Sequence, residues 1–285
     1  MRAGQNAALV ARIIHHSVVD GPGNRAAVFL QGCNYHCSYC HNPETISICC
    51  GCGTCVSMCP AGALSISDGR VIWDDEACTG CDTCIHVCPH LSSPRVRRLT
   101  AEQVMEEIRG DIPFIRGITV SGGECTLQRD FLVDLFTLAK EHKLTALLDS
   151  NGSYDYMADA ELMNLCDGVM LDVKAFDTAV HKELTGRGSE PVIENARKLM
   201  AAGKLTEIRT VIVPGVLPSE ETIAGIADVL KEFPGYETLR YKLIAYRNLG
   251  VREPYNTLFR SPSPEEMQDL KAFAEQKGFR NIVVI

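Results

Sequence analysis

GPGNRAAVFLQGCNYHCSYCHNP, residues 21–43, joins an apolar run to three closely spaced cysteines. Cys33, Cys37 and Cys40 form a C-x3-C-x2-C trio. Three thiolates so spaced can hold three irons of a [4Fe-4S] cube. The fourth iron is then open to a substrate or cofactor, whereas a fully ligated cube usually only carries electrons. Zinc sites favour C-x2-C pairs with a distant second pair, a different pattern. The run 26–30 reads as a strand, Gly32 permits a tight turn into the cysteine loop, and Pro43 ends that loop.

Working outward toward the C-terminus, apolar strands alternate with amphipathic helices. Strand-like runs fall at 117–120, 145–149, 169–173, 208–213, 239–245 and 281–285. Between them, Thr100 and Gln103 form a capping-box pattern, and Phe131, Leu132, Leu135, Phe136 and Ala139 repeat with helical period. Ser219 is expected to cap the helix running to Phe233, while Ser263-Pro-Glu-Glu opens the last helix and Gly278 closes it. This alternation predicts an α/β fold with a parallel sheet and crossover helices. With the run 26–30 there are six βα repeats, too few for an eight-stranded barrel. In such folds function collects at the C-terminal strand ends. The polar motifs lie there: the cysteine loop, Ser121-Gly-Gly-Glu124, Asp149-Ser-Asn-Gly152, Leu171-Asp-Val-Lys174, the stretch from Arg209 to Gly215, and Tyr246-Arg247.

Between Pro43 and Thr100 lies a second cysteine pattern. Cys49, Cys52, Cys55 and Cys59 read C-x2-C-x2-C-x3-C-P, and Cys78, Cys81, Cys84 and Cys88 repeat it. This is the two-cluster ferredoxin pattern, in which the fourth cysteine of each run ligates the other cluster. One cube is expected on Cys49, Cys52, Cys55 and Cys88, and the other on Cys78, Cys81, Cys84 and Cys59. Cys50 fits neither frame and reads as a free thiol. His36, His41, His86 and His90 adjoin ligands but are not needed to complete a set. Cys125 reads as a packing residue.

Bulk properties exclude several classes. The 285 residues carry 28 basic and 36 acidic side chains, a net charge of −8, which argues against a nucleic-acid partner bound through phosphates. The first residues lack the apolar core of a signal peptide, and no run reaches the length of a membrane span, so no membrane role is expected. Twelve of the 14 cysteines fall between Cys33 and Cys88, which fits metal binding in a reducing, cytoplasmic setting better than disulfides.

The 21–43 stretch closely resembles the radical S-adenosylmethionine (SAM) superfamily. Within it, the stretch resembles the activating enzymes of glycyl radical enzymes, whose signature joins G-P-G-x-R to F-x2-G-C-x3-C-x2-C-x-N-P. The resemblance covers essentially the whole chain and looks closest to the YjjW-like subgroup. It implies a partial (β/α)6 TIM-like barrel. Residues 1–44 would carry the first strand and cluster loop, 45–92 a ferredoxin-like insert with two [4Fe-4S] clusters, and 93–285 the rest of the barrel. It implies three such clusters in all, with SAM bound at the first.

Residue by residue, the resemblance places Gly122, Gly123 and Glu124 at the SAM amino group and Asp172, Val173 and Lys174 in the SAM pocket, with Tyr39, Cys40 and His41 bordering it. Asp149, Asp172 and the Met170 carbonyl would hold a monovalent cation, for which hard oxygens are suited. Arg209, inside an apolar strand, must be paired or lie at the rim; an ion pair and a SAM carboxylate contact both fit. Thr222 stands where the family often has a SAM-reaching histidine. A hydroxyl can replace one hydrogen bond but not an imidazole's charge or reach.

The implied activity is reductive cleavage of SAM, followed by removal of a hydrogen from a backbone glycine of a partner glycyl radical enzyme. Electrons would come from a flavodoxin or ferredoxin-type donor. No side chain need act as acid or base. Two other readings are a radical SAM enzyme for a small molecule and a ferredoxin-like electron carrier. The G-P-G-N-R signature favours an activating enzyme over the first, and the open-iron trio with S-G-G-E argues against the second.

Overall fold

Each apolar run beyond the cysteine loop can pair on both sides only if the helices between strands cross over the sheet, and that arrangement is found. The computed structural model describes residues 6–285. Its strands are β1 (Ala7–Ser17), β2 (Arg25–Leu30), β3 (Leu64–Ser67), β4 (Arg70–Trp73), β5 (Arg97–Thr100), β6 (Gly117–Gly122), β7 (Thr145–Ser150), β8 (Gly168–Asp172), β9 (Leu205–Ile212), β10 (Arg240–Ala245) and β11 (Asn281–Val284). Nine of them form one sheet in the order β5-β1-β2-β6-β7-β8-β9-β10-β11. From β2 to β11 all neighbours are parallel, and β1 runs antiparallel to both β2 and β5.

The sheet curls. Lys242 on β10 donates from Nζ to the carbonyl of Val19, just before β2, at 2.8 Å, although four strands of the sheet separate β10 from β2. On the other rim, Arg252 donates to the His36 carbonyl at 3.2 Å and Arg247 N to His41 Nε2 at 3.2 Å, tying the segment after β10 to the loop after β2. The result is a partial barrel whose edges are β5 and β11.

The N-terminal end of the barrel is closed by Arg25 of the G-P-G-N-R stretch. Its Nε donates to Thr119 at 2.8 Å, Nη1 to Thr145 at 2.9 Å and Nη2 to the Ile118 carbonyl at 2.8 Å. Burial pulls its pKa down to about 10. Further up, the buried Glu207 carboxylate is met by Arg209 Nε at 2.5 Å, Arg240 Nε at 2.8 Å and Lys242 Nζ at 3.0 Å. A charge so deep is tolerated because three cations surround it, Arg209 and Lys242 on Oε1 and Arg240 beside Oε2.

Outside the sheet, the helix Arg129–Glu141 buries Phe131, Leu132, Leu135, Phe136 and Ala139, the periodic set read from the sequence. Truncating one of these large side chains to alanine would cost about 2–5 kcal/mol. Thr100 with Gln103 and Ser263 with Glu266 both form capping boxes. Ser219 does not cap: it is the first residue of the helix Ser219–Leu230, after Pro218, and its hydroxyl turns back to the Leu217 carbonyl at 3.4 Å.

Residues 45–92 contribute no strand to the large sheet. Here β3 and β4 form a hairpin turned by Asp68 and Gly69, both at positive φ (48° and 70°), and the only α-helix is the short Thr83–His86. Cys55, Leu64 and Cys84 are the buried centre of this segment. Among the described residues no helix is long and apolar enough to cross a membrane.

Candidate active site

At the C-terminal ends of the parallel strands lies a cavity of about 190 Å³. Cys33, Cys37 and Cys40 line it together. Their loop is fixed by backbone bonds: Gly32 N to the Thr45 carbonyl and Cys33 N to the Ile46 carbonyl, both at 2.8 Å, and His36 N to the Thr185 carbonyl at 3.0 Å. The neighbouring β6 end presses directly on it. Gly123 N donates to the Leu30 carbonyl at 2.9 Å and Glu124 N to the Gly32 carbonyl at 2.8 Å. A Cβ at Gly123 would sit 2.2 Å from the Gly32 oxygen, and one at Gly122 would sit 2.1 Å from the Leu30 oxygen. The two glycines are therefore demanded by this backbone contact as well as by any ligand above it.

The far wall is charged. Asp149, Asp172, Lys174 and Arg209 line the cavity from the ends of β7, β8 and β9. Arg209 Nη1 lies 2.8 Å from Asp149 Oδ2, which also accepts from Ser121 Oγ at 2.8 Å. Lys174 Nζ lies 2.9 Å from Asp172 Oδ2. Burial raises the Asp149 carboxyl to about 6 even though the Arg209 charge pulls it down. Burial opposes the charge on Lys174, but Asp172 and the sulfur of Cys37 outweigh it and hold its pKa well above the usual value.

Tyr39 and His41 also line the cavity. The His41 ring stacks on Tyr246, with centroids 5.7 Å apart, and burial lowers its pKa. The Tyr39 hydroxyl is buried without a hydrogen-bond partner among the described residues.

Three expected contacts lie behind the wall instead. Glu124 is fully buried. Its carboxylate accepts from the Thr126 hydroxyl at 2.6 Å, the Ser150 hydroxyl at 2.8 Å and the Asn151 backbone at 2.8 Å. It thus ties the β6 loop to the β7 loop. Val173 is buried and donates from its backbone to the Arg209 carbonyl at 2.9 Å. Thr222 is buried on its helix, where its hydroxyl accepts from Phe176 N at 3.2 Å. Met170, expected to offer its backbone carbonyl to a cation, turns its side chain inward, with the sulfur 3.1 Å from Arg209 Nη2. Conversely, Asn42, Asn151 and Tyr35 line the cavity without having been singled out. Asn151 Nδ2 reaches the Asn34 Oδ1 at 2.9 Å and the Cys33 sulfur at 3.8 Å. Its place in Asp149-Ser-Asn-Gly152, a strand-end motif, was the available signal.

The donors suit a cationic cluster with a polar ligand. Burial pushes the Cys33 thiol up to about 11 and Cys40 up to about 12, so without a cation these thiols stay protonated, and a thiophilic metal is the kind of group whose charge would make three thiolates favourable there. The unpartnered Tyr39 hydroxyl and the paired ionic groups opposite leave polar capacity for a charged small molecule.

Residues 49–95 form two much smaller cavities. One is lined by Cys49, Cys52, Cys55 and Cys88, and the other by Cys59, Cys78, Cys81 and Cys84. All 14 cysteines are free of disulfides. The Trp73 indole N–H, buried with no nitrogen or oxygen partner, faces on the second cavity's lining.

Comparison with known proteins agrees with this geometry. The family model described as the radical SAM superfamily matches residues 27–227. The (2S)-3-sulfopropanediol sulfolyase activating enzyme of Bilophila wadsworthia is 32% identical over 295 aligned positions, covering 95% of each chain. The choline trimethylamine-lyase activating enzyme of Oleidesulfovibrio alaskensis is 32% identical over 263, covering 86% of this chain and 85% of that one. Among solved structures, Escherichia coli QueE superposes with a TM-score of 0.57 over 98% of this chain and 94% of its own, at 11% identity, a likeness of fold alone.

Proposed function

The chain belongs to the radical SAM superfamily and is an activating enzyme of glycyl radical enzymes, and on that premise we propose how its residues divide the work. Cys33, Cys37 and Cys40 hold the catalytic four-iron cluster. When bound, such a cluster would supply the electron for reductive cleavage of SAM, the chemistry by which an activating enzyme removes hydrogen from a glycine of its partner. The observation that carries this assignment is that the trio and the charged strand ends line one cavity.

Lys174 and Arg209 give that cavity two cations suited to the SAM carboxylate, each already oriented by an aspartate. Asp149 and Asp172 present carboxylate oxygens on the same wall for a monovalent cation. Gly122 and Gly123 offer a backbone edge without side chains, and Tyr39 and His41 close the side next to the cysteine loop. Glu124 acts through the loops it joins, by fixing Ser150 and Asn151 rather than by touching the ligand.

We assign residues 45–92 to a ferredoxin-like insert between two parts of the barrel, 1–44 and 93–285. The Cys49/Cys52/Cys55/Cys88 and Cys59/Cys78/Cys81/Cys84 cavities would each hold a four-iron cluster, making three in the chain. The insert would take electrons from a flavodoxin or ferredoxin-type donor. Such clusters and free thiols fit a reducing cytoplasm.

The test is anaerobic reconstitution with iron and sulfide. About twelve irons per chain are expected, together with methionine and 5′-deoxyadenosine on reduction, and a glycyl radical on the partner. Replacing Cys33, Cys37 and Cys40 by alanine should remove about four irons and all SAM cleavage. Continued cleavage by that variant overturns the catalytic assignment, and zinc as the dominant metal overturns the insert assignment.

A further inference from the structure

The insert is an internal repeat, and its two halves can be compared position by position. Cys49-Cys-Gly-Cys-Gly-Thr-Cys55 aligns with Cys78-Thr-Gly-Cys-Asp-Thr-Cys84. The backbones agree: Gly51 and Gly80 have φ of 75° and 68°, and Gly53 and Asp82 have 78° and 61°. The hydroxyls of Thr54 and Thr83 lie 3.4 Å and 3.3 Å from the sulfurs of Cys52 and Cys81. Burial agrees too, with Cys52 and Cys81 exposed and Cys55 and Cys84 buried.

Within this close match, Asp82 stands where Gly53 does and pairs with Arg95, His86 stands where Ser57 does but lines neither cavity, and two cavity-lining positions change the supply of thiol and imidazole donors. Cys50 stands where the second half has Thr79, and His90, after Cys88-Pro89, stands where Ala61 follows Cys59-Pro60. Both pairs occupy corresponding places: Cys50 and His90 line the first cavity, Ala61 and Thr79 the second. The donor atoms of Cys50, Cys52 and His90 all lie within 4.8 Å of one another, at the exposed edge of the insert. The second site thus has four soft donors, whereas the first has the same four plus a thiol and an imidazole gathered at one of them.

We propose that Cys50 and His90 are reserve ligands for the iron held by Cys52, so that the first cluster site tolerates loss of that ligand and the second does not. The proposal rests on the two-cluster reading of the insert. Exchange to Cys50 breaks one iron–sulfur bond and forms another, with the proton of the Cys50 thiol passing to the departing Cys52 sulfur; no electron is gained or lost. Exchange to His90 replaces the thiolate by a neutral imidazole, and Cys52 takes a proton from solvent. Thiolate and imidazole are both established donors to such irons, and imidazole raises the reduction potential. The exposed edge, where solvent-borne oxidants reach first, is where a spare donor has most use.

The test compares full-length, anaerobically reconstituted variants by iron content and by electron paramagnetic resonance of the reduced protein. Cys52→Ala should keep about twelve irons with an altered signal, whereas Cys81→Ala should lose between about one and four. Removing Cys50 and His90 along with Cys52 should bring iron down to the Cys81→Ala level. Equal losses in Cys52→Ala and Cys81→Ala overturn the proposal, as does retained iron in the triple variant, or a Cys52→Ala protein that cannot fold where Cys81→Ala can. Thr79→Cys added to Cys81→Ala should restore the lost iron, and failure to do so also counts against the proposal. A wild-type content of about four irons would instead overturn the two-cluster reading itself.

Discussion

Arg209 Nη1 and Asp149 Oδ2 meet at 2.8 Å across β8, the strand whose end carries Asp172. The contact spans two strand spacings, which the long arginine side chain bridges, and it leaves a largely buried carboxylate beside the pocket with its proton in play. Burial lifts the Asp149 pKa to about 6, the nearby Asp172 adds to this, and Arg209 works against it. Asp149 and Glu207 hold Arg209 protonated throughout despite its burial.

It follows that SAM affinity should depend on pH. A ligand or cation that uses ionised Asp149 must displace its proton below about pH 6, so SAM binding should weaken by up to about tenfold per unit as pH falls further. Stability of the empty protein runs the other way. The folded state holds this proton more tightly than an unfolded chain with a pKa of about 3.9, so the contribution is full below that value. It is lost as pH rises through about 6. Asp149→Asn should flatten both profiles. A wild-type SAM dissociation constant that is unchanged from about pH 5 to about pH 7 refutes the assignment.

Three further positions should separate by what they lose. Thr222→Ala leaves the partly buried Phe176 N–H without its acceptor and should cost stability by about 0.5–1.5 kcal/mol, with SAM affinity nearly unchanged. Lys174→Ala removes a cation from the pocket wall and should weaken SAM about tenfold to a hundredfold, the equivalent of about 1.5–3 kcal/mol. Glu124→Ala strips acceptors from two loops and should lower stability by about 2–5 kcal/mol. Calorimetric melting beside SAM titration reads both quantities. A larger affinity loss for Thr222→Ala than for Lys174→Ala would place Thr222 in the pocket after all.

Gly123→Ala should act on the cysteine loop rather than on SAM. The new Cβ would meet the Gly32 and Thr45 oxygens at 2.2 Å and 2.7 Å, so the loop must move. Iron at the catalytic site should fall while the circular dichroism of the sheet persists. Full iron content with SAM binding alone impaired would show that the glycine is there for the ligand.

The parallel strands and their polar ends were legible because burial on both faces makes near-continuous apolar runs, as in β6 and β8. β1 was not. Its AALVARIIHHS mixes charge and histidine because most of it is only partly buried, and its place is set by pairing with β2 and β5. In the site, Asp149, Lys174 and the cysteine trio could be put on one rim from their strand ends, while their places around a ligand came from the family resemblance. Glu124 and Thr222 could not, since one residue's turn decides whether a side chain faces the cavity or the loop behind it. Arg209 illustrates the middle case: its need for a partner was readable, but not that Asp149 and Glu207 both serve.

The last prediction concerns electron delivery. A cleft of about 320 Å³ is lined on one side by Arg12 and Phe29 of β1 and β2 and on the other by Trp73, Asp82 and Arg95. It shares Asn42 and Thr45 with the active-site cavity, and Trp73, Asp82 and Arg95 with the cavity of Cys59, Cys78, Cys81 and Cys84. On the proposed two-cluster reading, that second site is the one joined to the active-site cavity through the shared cleft, and its lining holds no thiol or imidazole beyond its four cysteines to mask a substitution. Replacing Cys81 and Cys84 by alanine should slow reduction of the catalytic cluster by a protein donor. It should spare SAM cleavage driven by a small reductant, which reaches the catalytic cavity directly. Because a fully ligated cluster offers no iron to SAM, a relay defect must appear in the rate of reduction and not in SAM affinity. If both reductants support normal SAM cleavage while glycyl radical yield on the partner collapses, the insert docks the partner and the relay assignment is wrong.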